Sequence, residues 1–394
     1  MQAWARAGRD VRRPLLWMHA PSVGEGLMAK PVIERLRARR PELQLAYTWF
    51  SPSGEAFGQS LAADFADYLP FDTHRSARAW LGALRPSALV FSKLDVWPIL
   101  TEAAVTQGVP VALTSASLSA TSRRQSRVAH WLLADAYAAL SAVGAASTED
   151  AARLTTLGVP ADRITVTGDT RYDQVWQRVQ APPNHPDLMA RLLSPRPTLV
   201  AGSTWPADDA VLISAWPEIH RAIPDARLIV APHEPDASHL RELHQRLSPL
   251  GLRSAGLSDA ARDTDVVLVD RLGVLADLYA LATVSYVGGG FHAAGLHSVV
   301  EPAAHGAPVL FGPRHGGSRD AAAIEASGGG FAVADAAALA ARTISLMRDA
   351  TLRAATSAKA RAVVAAGLGA AERSAVLIER LLSGVPRGST SFHH

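Results

Sequence analysis

Short aliphatic and β-branched runs recur along the chain, separated by longer stretches in which alanine, leucine and arginine repeat with helical spacing. In the first half LLWMHA, LQLAYTW, ALVFSK, VPVALTS, AVGAAS and ITVTG predict strands; in the second LVAGS, ARLIVAP, DVVLVD, VSYVGG, PVLFG and GFAVA do so. These runs are almost continuously apolar instead of alternating, the pattern of parallel strands covered on both faces. The proline-rich segment QAPPNHPDLMARLLSPRP interrupts the alternation and places a domain boundary between about 176 and 197. The expected division is 1–178, 179–382 and a disordered tail over 383–394, GVPRGSTSFHH being its polar end. Two doubly wound α/β domains place a ligand beyond the carboxyl ends of their strands, so the candidate chemistry is sought there.

Composition narrows the picture. A chain of 394 residues, 48% hydrophobic and 19% charged, is that of a folded protein with more than one core. It has no cysteine, which excludes disulfides and thiolate metal sites, and no apolar run long enough to span a bilayer. The N-terminal MQAWARAGRDVRRPLLW is arginine-rich without the apolar stretch of a secretory signal. Net charge is +3 and the isoelectric point about 9.4, compatible with an anionic ligand or membrane surface and selecting neither. Of 39 basic residues only Lys30, Lys93 and Lys359 are lysines, and Asn184 is the only asparagine. A lysine that survives such a bias carries more weight than one in an ordinary chain.

Several motifs follow strands. HAPSVGE ends in Glu25, either a helix-capping carboxylate or a general base whose pKa desolvation would raise. AGSTWPADD presents Ser203 and Thr204 at a helix start, as an ordinary cap or as phosphate ligands. APHEPDA brings His233 and Glu234 to the same rim, where a plain surface loop would also explain them. In VSYVGGGFHAAGLHSVVEPAAHGAPVLFGP, Gly288, Gly289 and Gly290 allow close backbone approach, and His297 and Glu301 have the spacing of one helical face. The histidines are scattered without metal-ligand spacing, except His292 and His297 around the glycine turn, where a metal is not expected, and no Walker loop, HExxH or GxSxG is present. The segment RRQSRVAHWLLADAYAAL is read as packing inside the first domain, with a membrane-facing patch as the alternative.

Taken in order, HAPSVGE, YTWFSPSG, YLPFD, GDTRYD, AGSTWPADD, APHEP and GGGFHAAGLHSVVEPAAHGAPVLFGP resemble the motifs of 3-deoxy-D-manno-octulosonic acid (Kdo) transferases, from about Trp17 to Leu382. The resemblance implies a GT-B architecture, two Rossmann-like domains facing across a cleft. It implies inverting transfer of Kdo from CMP-Kdo to a lipid A precursor, with no metal or other cofactor and no nucleic acid. Glu25 matches the proposed catalytic base and Glu301 the glutamate that binds the nucleotide ribose. Ser203, Thr204, His233, Gly289, Gly290, His297 and Ser298 match donor-binding positions; Lys93, Asp95 and Ser51 are assigned to the acceptor or to its electrostatics. The resemblance also implies peripheral association with the cytoplasmic face of the bacterial inner membrane. Relatives usually carry an N-terminal anchoring segment, for which this chain begins too late.

There are departures. His297 and Ser298 stand where the family has histidine–asparagine, and Gly168 and Asp169 where it has glycine–asparagine. SKLDVWP carries Lys93 and Asp95 in place of a glutamate-containing motif, and SASLS over 115–119 lacks a family arginine. Two alternatives stay open: a GT-B transferase or epimerase using a UDP-sugar, and a non-catalytic relative that binds nucleotide or lipid.

Overall fold

A computed structural model describes residues 1, 4–5, 8–120, 122–293 and 295–384. The chain forms two compact units, one of residues 1–174 with 367–394, the other of residues 175–366. Each is built on a parallel sheet of seven strands among the described residues.

In the first unit the strands are β1 (Leu15–His19), β2 (Gln44–Trp49), β3 (Phe65–Tyr68), β4 (Ala88–Ser92), β5 (Val111–Ala116), β6 (Ala142–Ala145) and β7 (Ile164–Val166). Their order is β3-β2-β1-β4-β5-β6-β7. The second holds β8 (Thr198–Thr204), β9 (Arg227–Pro232), β10 (Ser254–Gly256), β11 (Val266–Leu268), β12 (Val284–Val287), β13 (Val309–Phe311) and β14 (Gly330–Ala332), ordered β10-β11-β9-β8-β12-β13-β14. These are two Rossmann-like domains of the expected GT-B class. Central strands are buried along their whole length, β1, β4 and β12 at every residue, which is why their sequences do not alternate.

All twelve predicted strands form. The two unpredicted ones, β3 and β10, lie at sheet edges and are mostly only partly buried. FADY and SAG carry no continuous apolar run to announce them. The domain division also differs from the expected 179–382. The chain leaves the second unit at 366 and returns to the first, where Ala371, Ala375, Leu377 and Ile378 of the helix Ala370–Leu382 join the core with Val32 and Leu36. Asp173 receives the N–H groups of Gly369 (2.9 Å) and Ala371 (3.0 Å), and Arg39 pairs with Glu372 and Glu379 at 2.6 and 2.7 Å. Of the tail expected over 383–394, residues 385–394 lie outside the described residues.

Sheet order locates the chemistry. In the first sheet, connections change direction between β1 and β4, where His19 pairs with Phe91; in the second, between β8 and β12, where Gly202 pairs with Val287. Ligands of open α/β sheets bind beyond the carboxyl ends of the strands at such points. Glu25 follows β1 and Lys93 follows β4; Ser203 and Thr204 end β8, and the three glycines follow β12.

Candidate active site

The first unit presents a carboxylate–lysine pair. Glu25 lies in the first turn of the helix Val23–Arg39, whose N-cap Ser22 makes no side-chain bond to the helix backbone. The Ser22 hydroxyl instead donates to Glu25 Oε2, Lys93 Nζ donates to Oε1 at 3.3 Å, and Ser92 Oγ donates to the Glu25 carbonyl at 3.0 Å. The Glu25 side chain is 18% exposed, enough for a ligand to reach it. Burial is the strongest influence on its carboxyl and pushes the pKa up, but Ser22 and Lys93 together outweigh it and hold the group below the ordinary 4.5. This corrects the expected direction: sequence did not reveal that the cation following β4 would meet the carboxylate following β1. The expected consequence is specific. Lys93→Ala removes an influence that lowers the pKa, so the acid limb of the pH–rate profile moves to higher pH, while Lys93→Arg largely preserves it; a limb unmoved by Lys93→Ala would remove the pair from the account.

Lys93 occupies the left-handed region with φ 67°. Ser115 and Ser203, both with φ 53°, do the same at register irregularities near the ends of β5 and β8. Non-glycine residues there cost about 1–3 kcal/mol each and persist only where surrounding structure holds them, commonly at functional sites. Lys93 after β4 and Ser203 at the end of β8, both at switch points, fit that pattern; Ser115 lies one strand further out, on β5.

Asp95 belongs to a neighbouring cluster. It accepts from Trp97 Nε1 at 3.0 Å and lies 3.8 Å from His19 Nε2 and 3.6 Å from Arg124. Burial raises its pKa, but His19, Trp97 and Arg124 together reverse the sign and keep the carboxylate charged. His19, wholly buried, is pushed down by the same loss of solvent. Ser51 is tied to the rim through its backbone N–H to Pro21 O at 2.8 Å, but its hydroxyl faces Ser53 Oγ at 3.1 Å and does not bond Glu25.

In the second unit a buried aspartate organises the glycine turn. Asp208, three residues into the helix that starts at Pro206, accepts from Trp205 N (3.0 Å), Gly289 N (2.8 Å), Tyr286 Oη (2.7 Å) and Phe291 N (3.4 Å). The Gly289 amide, expected to face a ligand, is therefore committed to this carboxylate. Gly289 has φ 93°, and a Cβ at Gly290 would lie 2.5 Å from Gly312 N; chain packing itself requires both glycines.

Four rings surround this turn. Trp205 stacks on His292 at 4.3 Å between centroids and on His233 at 4.8 Å, and His233 lies 4.4 Å from His297. Trp205 Nε1 donates to His297 Nε2 at 3.1 Å. An indole N–H only donates, so that nitrogen carries the lone pair and neutral His297 has its proton on Nδ1. Burial first, then His233, pushes its pKa below 6.5, against an opposing pull from Asp208. His297 does not share a helical face with Glu301: the helix begins only at Val300, because the preceding loop folds back to bring His297 N to Gly288 O at 3.1 Å. Ser298 is exposed in that loop, and Thr204 is 1% exposed beneath the rings. Glu301 is partly buried and has no hydrogen-bond partner among the described residues. Burial pushes its carboxyl up, while Arg178 pulls it down.

Sequence reading singled out neither Trp205, His292 nor Asp208 as a site residue. Asp208 was visible only as an acidic residue at a helix start, and nothing local tells an ordinary cap from one gathering donors across a strand gap. Among the described residues there is no cluster of three or more histidine, aspartate or glutamate side chains arranged to hold a metal ion.

Two Rossmann-like units, each with polar chemistry at its switch point, make up the GT-B fold. Residues 2–174 match the family model of the 3-deoxy-D-manno-octulosonic-acid transferase (kdotransferase). A Bordetella pertussis protein named 3-deoxy-D-manno-octulosonic acid transferase is 34% identical over 95% of this chain and 90% of its own length. A namesake from Haemophilus influenzae is 25% identical over 75% of this chain and 70% of its own. The chain belongs to the Kdo transferase family and is a glycosyltransferase. Among solved structures, UDP-GlcNAc 2-epimerase from Neisseria meningitidis bound to UDP-GlcNAc shares the fold, with TM-score 0.69 and 15% identity, over 94% of this chain and all of that one.

Proposed function

We propose that this glycosyltransferase moves Kdo from CMP-Kdo to a lipid A precursor, inverting the anomeric centre without a metal ion, while bound peripherally to the cytoplasmic face of the bacterial inner membrane. The observation that carries the reading is Glu25, an ionised and accessible carboxylate beside Lys93 at the first switch point, in a chain whose relatives are named Kdo transferases.

In the proposed step an acceptor hydroxyl oxygen attacks the anomeric carbon from the face opposite CMP. Its proton passes to Glu25 as the new C–O bond forms. The bond from the anomeric carbon to the phosphate oxygen breaks, and its electron pair leaves on CMP. A phosphate monoester is a stabilised leaving group, so the protein's part is orientation and charge compensation. Lys93 keeps Glu25 ready to accept the proton and offers a positive charge to an anionic substrate. On the donor side, Glu301 accepts hydrogen bonds from the ribose hydroxyls. Ser203, Thr204, His233, Gly289, Gly290, His297 and Ser298 form the surroundings of the phosphate and sugar carboxylate, with His297 Nδ1–H as a donor. On the acceptor side, Asp95 and Ser51 line the rim near Lys93.

A thermal-shift comparison of CMP, UMP and UDP tests the donor assignment. CMP at a hundred times its Kd should stabilise the protein by about 2.7 kcal/mol, and Glu301→Ala should remove most of that shift. Selective stabilisation by UDP would favour the second reading, a UDP-sugar enzyme, which the epimerase-like fold keeps in view.

A further inference from the structure

One buried phenol in the second unit has no partner of its own. Tyr279 opens the short turn Tyr279–Leu281, which follows the helix Leu275–Leu278 and leads into β12. The residue is 2% exposed and belongs to the core cluster that holds Val200 and Leu278. Its hydroxyl ends at the switch point of the second sheet. A Cβ built on Gly202 would collide with Tyr279 Oη and lie 2.8 Å from the ring carbon that bears it. The end of β8 therefore admits the phenol only because residue 202 is glycine. Gly202 pairs with Val287, and its carbonyl accepts from Gly288 N at 2.9 Å, so the hydroxyl stands beside the start of the glycine turn.

This hydroxyl has no hydrogen-bond partner among the described residues, and neither has the Glu301 carboxylate. Tyr286, equally buried, shows the usual arrangement, with its hydroxyl donating to Asp208 at 2.7 Å. The helix Val300–His305, which carries Glu301, is tied to the segment before Tyr279: His305 Nε2 donates to Ala276 O at 2.9 Å. Burial first, then the Glu301 charge, pushes the phenol pKa up, so Tyr279 keeps its proton and remains a donor. A buried polar group without a partner costs about 1–3 kcal/mol. A donor and an acceptor left open at one place mark a position kept for a ligand.

We infer that Tyr279 is a further donor-binding residue, its hydroxyl donating to one oxygen of the nucleotide's ribose diol while Glu301 accepts from the diol's protons. The inference rests on the ribose role proposed for Glu301. A ribose hydroxyl both donates and accepts, and a carboxylate alone answers only the first. Phenol and carboxylate together read the hydroxyl as such. A deoxy carbon in its place would leave both groups buried and unpaired, which discriminates more strongly than the loss of a contact. The site is thereby selective for ribonucleotides over deoxyribonucleotides.

The test is calorimetric titration of the full chain with CMP, 2′-deoxy-CMP and 3′-deoxy-CMP, in the wild type, Tyr279→Phe and Glu301→Gln. The wild type is expected to bind CMP about tenfold or more tighter than at least one of the two deoxynucleotides. Tyr279→Phe removes one oxygen and keeps the ring. It should weaken CMP about five- to tenfold and leave the affinity for that deoxynucleotide nearly unchanged, so the preference collapses. A phenol that only supports the fold would cost the same factor with all three nucleotides. That result, or wild-type CMP affinity in Tyr279→Phe, would overturn the inference. Unfolding midpoints near that of the wild type would establish that the variants fold. Glu301→Gln separates the inference from the reading beneath it: unchanged CMP affinity there would take Glu301 off the ribose, while the Tyr279→Phe comparison would still decide the phenol. Should UDP bind and CMP not, the same comparison with UDP and its 2′- and 3′-deoxy forms decides it, because both nucleotides carry ribose.

Discussion

Glu25→Ala is expected to lower kcat by roughly a hundred- to ten-thousand-fold, the usual contribution of a positioned general base, with the fold intact. The fold should survive because the partners left behind are tolerant: Ser22 lies at the exposed start of a helix, and the Lys93 side chain is already 46% exposed to solvent. Glu25→Gln should be nearly as slow, since the amide preserves shape while losing the basic oxygen. The nucleotide-induced thermal shift should stay near the wild-type value in both, because Glu301 and the Asp208 turn are unaltered. The pH dependence follows from the depressed pKa of Glu25. The carboxylate is ionised throughout the neutral range, and activity falls only as pH drops through a value below 4.5. Turnover unchanged in Glu25→Ala would take the residue out of the chemistry.

The largest stability effect is expected at Asp208. It is fully buried and receives one hydroxyl and three backbone N–H groups, so alanine there strips several buried donors of their acceptor at once. Each orphaned donor costs about 1–3 kcal/mol, so several orphaned together cost about 3–5 kcal/mol once water and neighbouring acceptors take up part of the loss. For a domain of this size that is a fall of roughly 6–20 °C in the melting temperature of the second unit. Nucleotide binding should weaken as well, because the same carboxylate holds the turn from Gly289 to Phe291 and the backbone N–H of Trp205. Calorimetry showing a melting temperature within a degree or two of wild type would mean that the glycine turn does not depend on Asp208.

How much of this was legible beforehand differs from element to element. β1 and β12 were readable because a buried parallel strand needs an unbroken apolar run, and LLWMH and VSYV supply one. β3 and β10 were not, because an edge strand is defined by its neighbour and not by its own composition. The return of the helix Ala370–Leu382 to the first unit was hidden for a related reason: an alanine-rich amphipathic helix fits either sheet, and partners far away in sequence, Asp173, Arg39, Val32 and Leu36 among them, mark the one it joins. In the site, strand ends pointed to Glu25, Lys93 and Ser203 correctly as rim residues. Proximity across strands was the missing quantity. The Glu25–Lys93 pair reverses the expected pKa direction, and the Asp208 bond to Gly289 gives an amide an internal partner where a ligand was expected. Trp131, expected to pack inside the first domain but 80% exposed on the helix Arg127–Ala139, shows the same limit, since the spacing that buries one face of a helix leaves the other unexplained.

The most direct test of the proposed reaction is mass spectrometry of the products formed by the purified full chain from CMP-Kdo and a lipid A precursor, without added metal and with a chelator present. The account predicts a precursor heavier by at least one Kdo residue, free CMP in matching amount, and almost no product from Glu25→Ala. An unmodified precursor from active donor and acceptor, or transfer only when a UDP-sugar replaces CMP-Kdo, would contradict it.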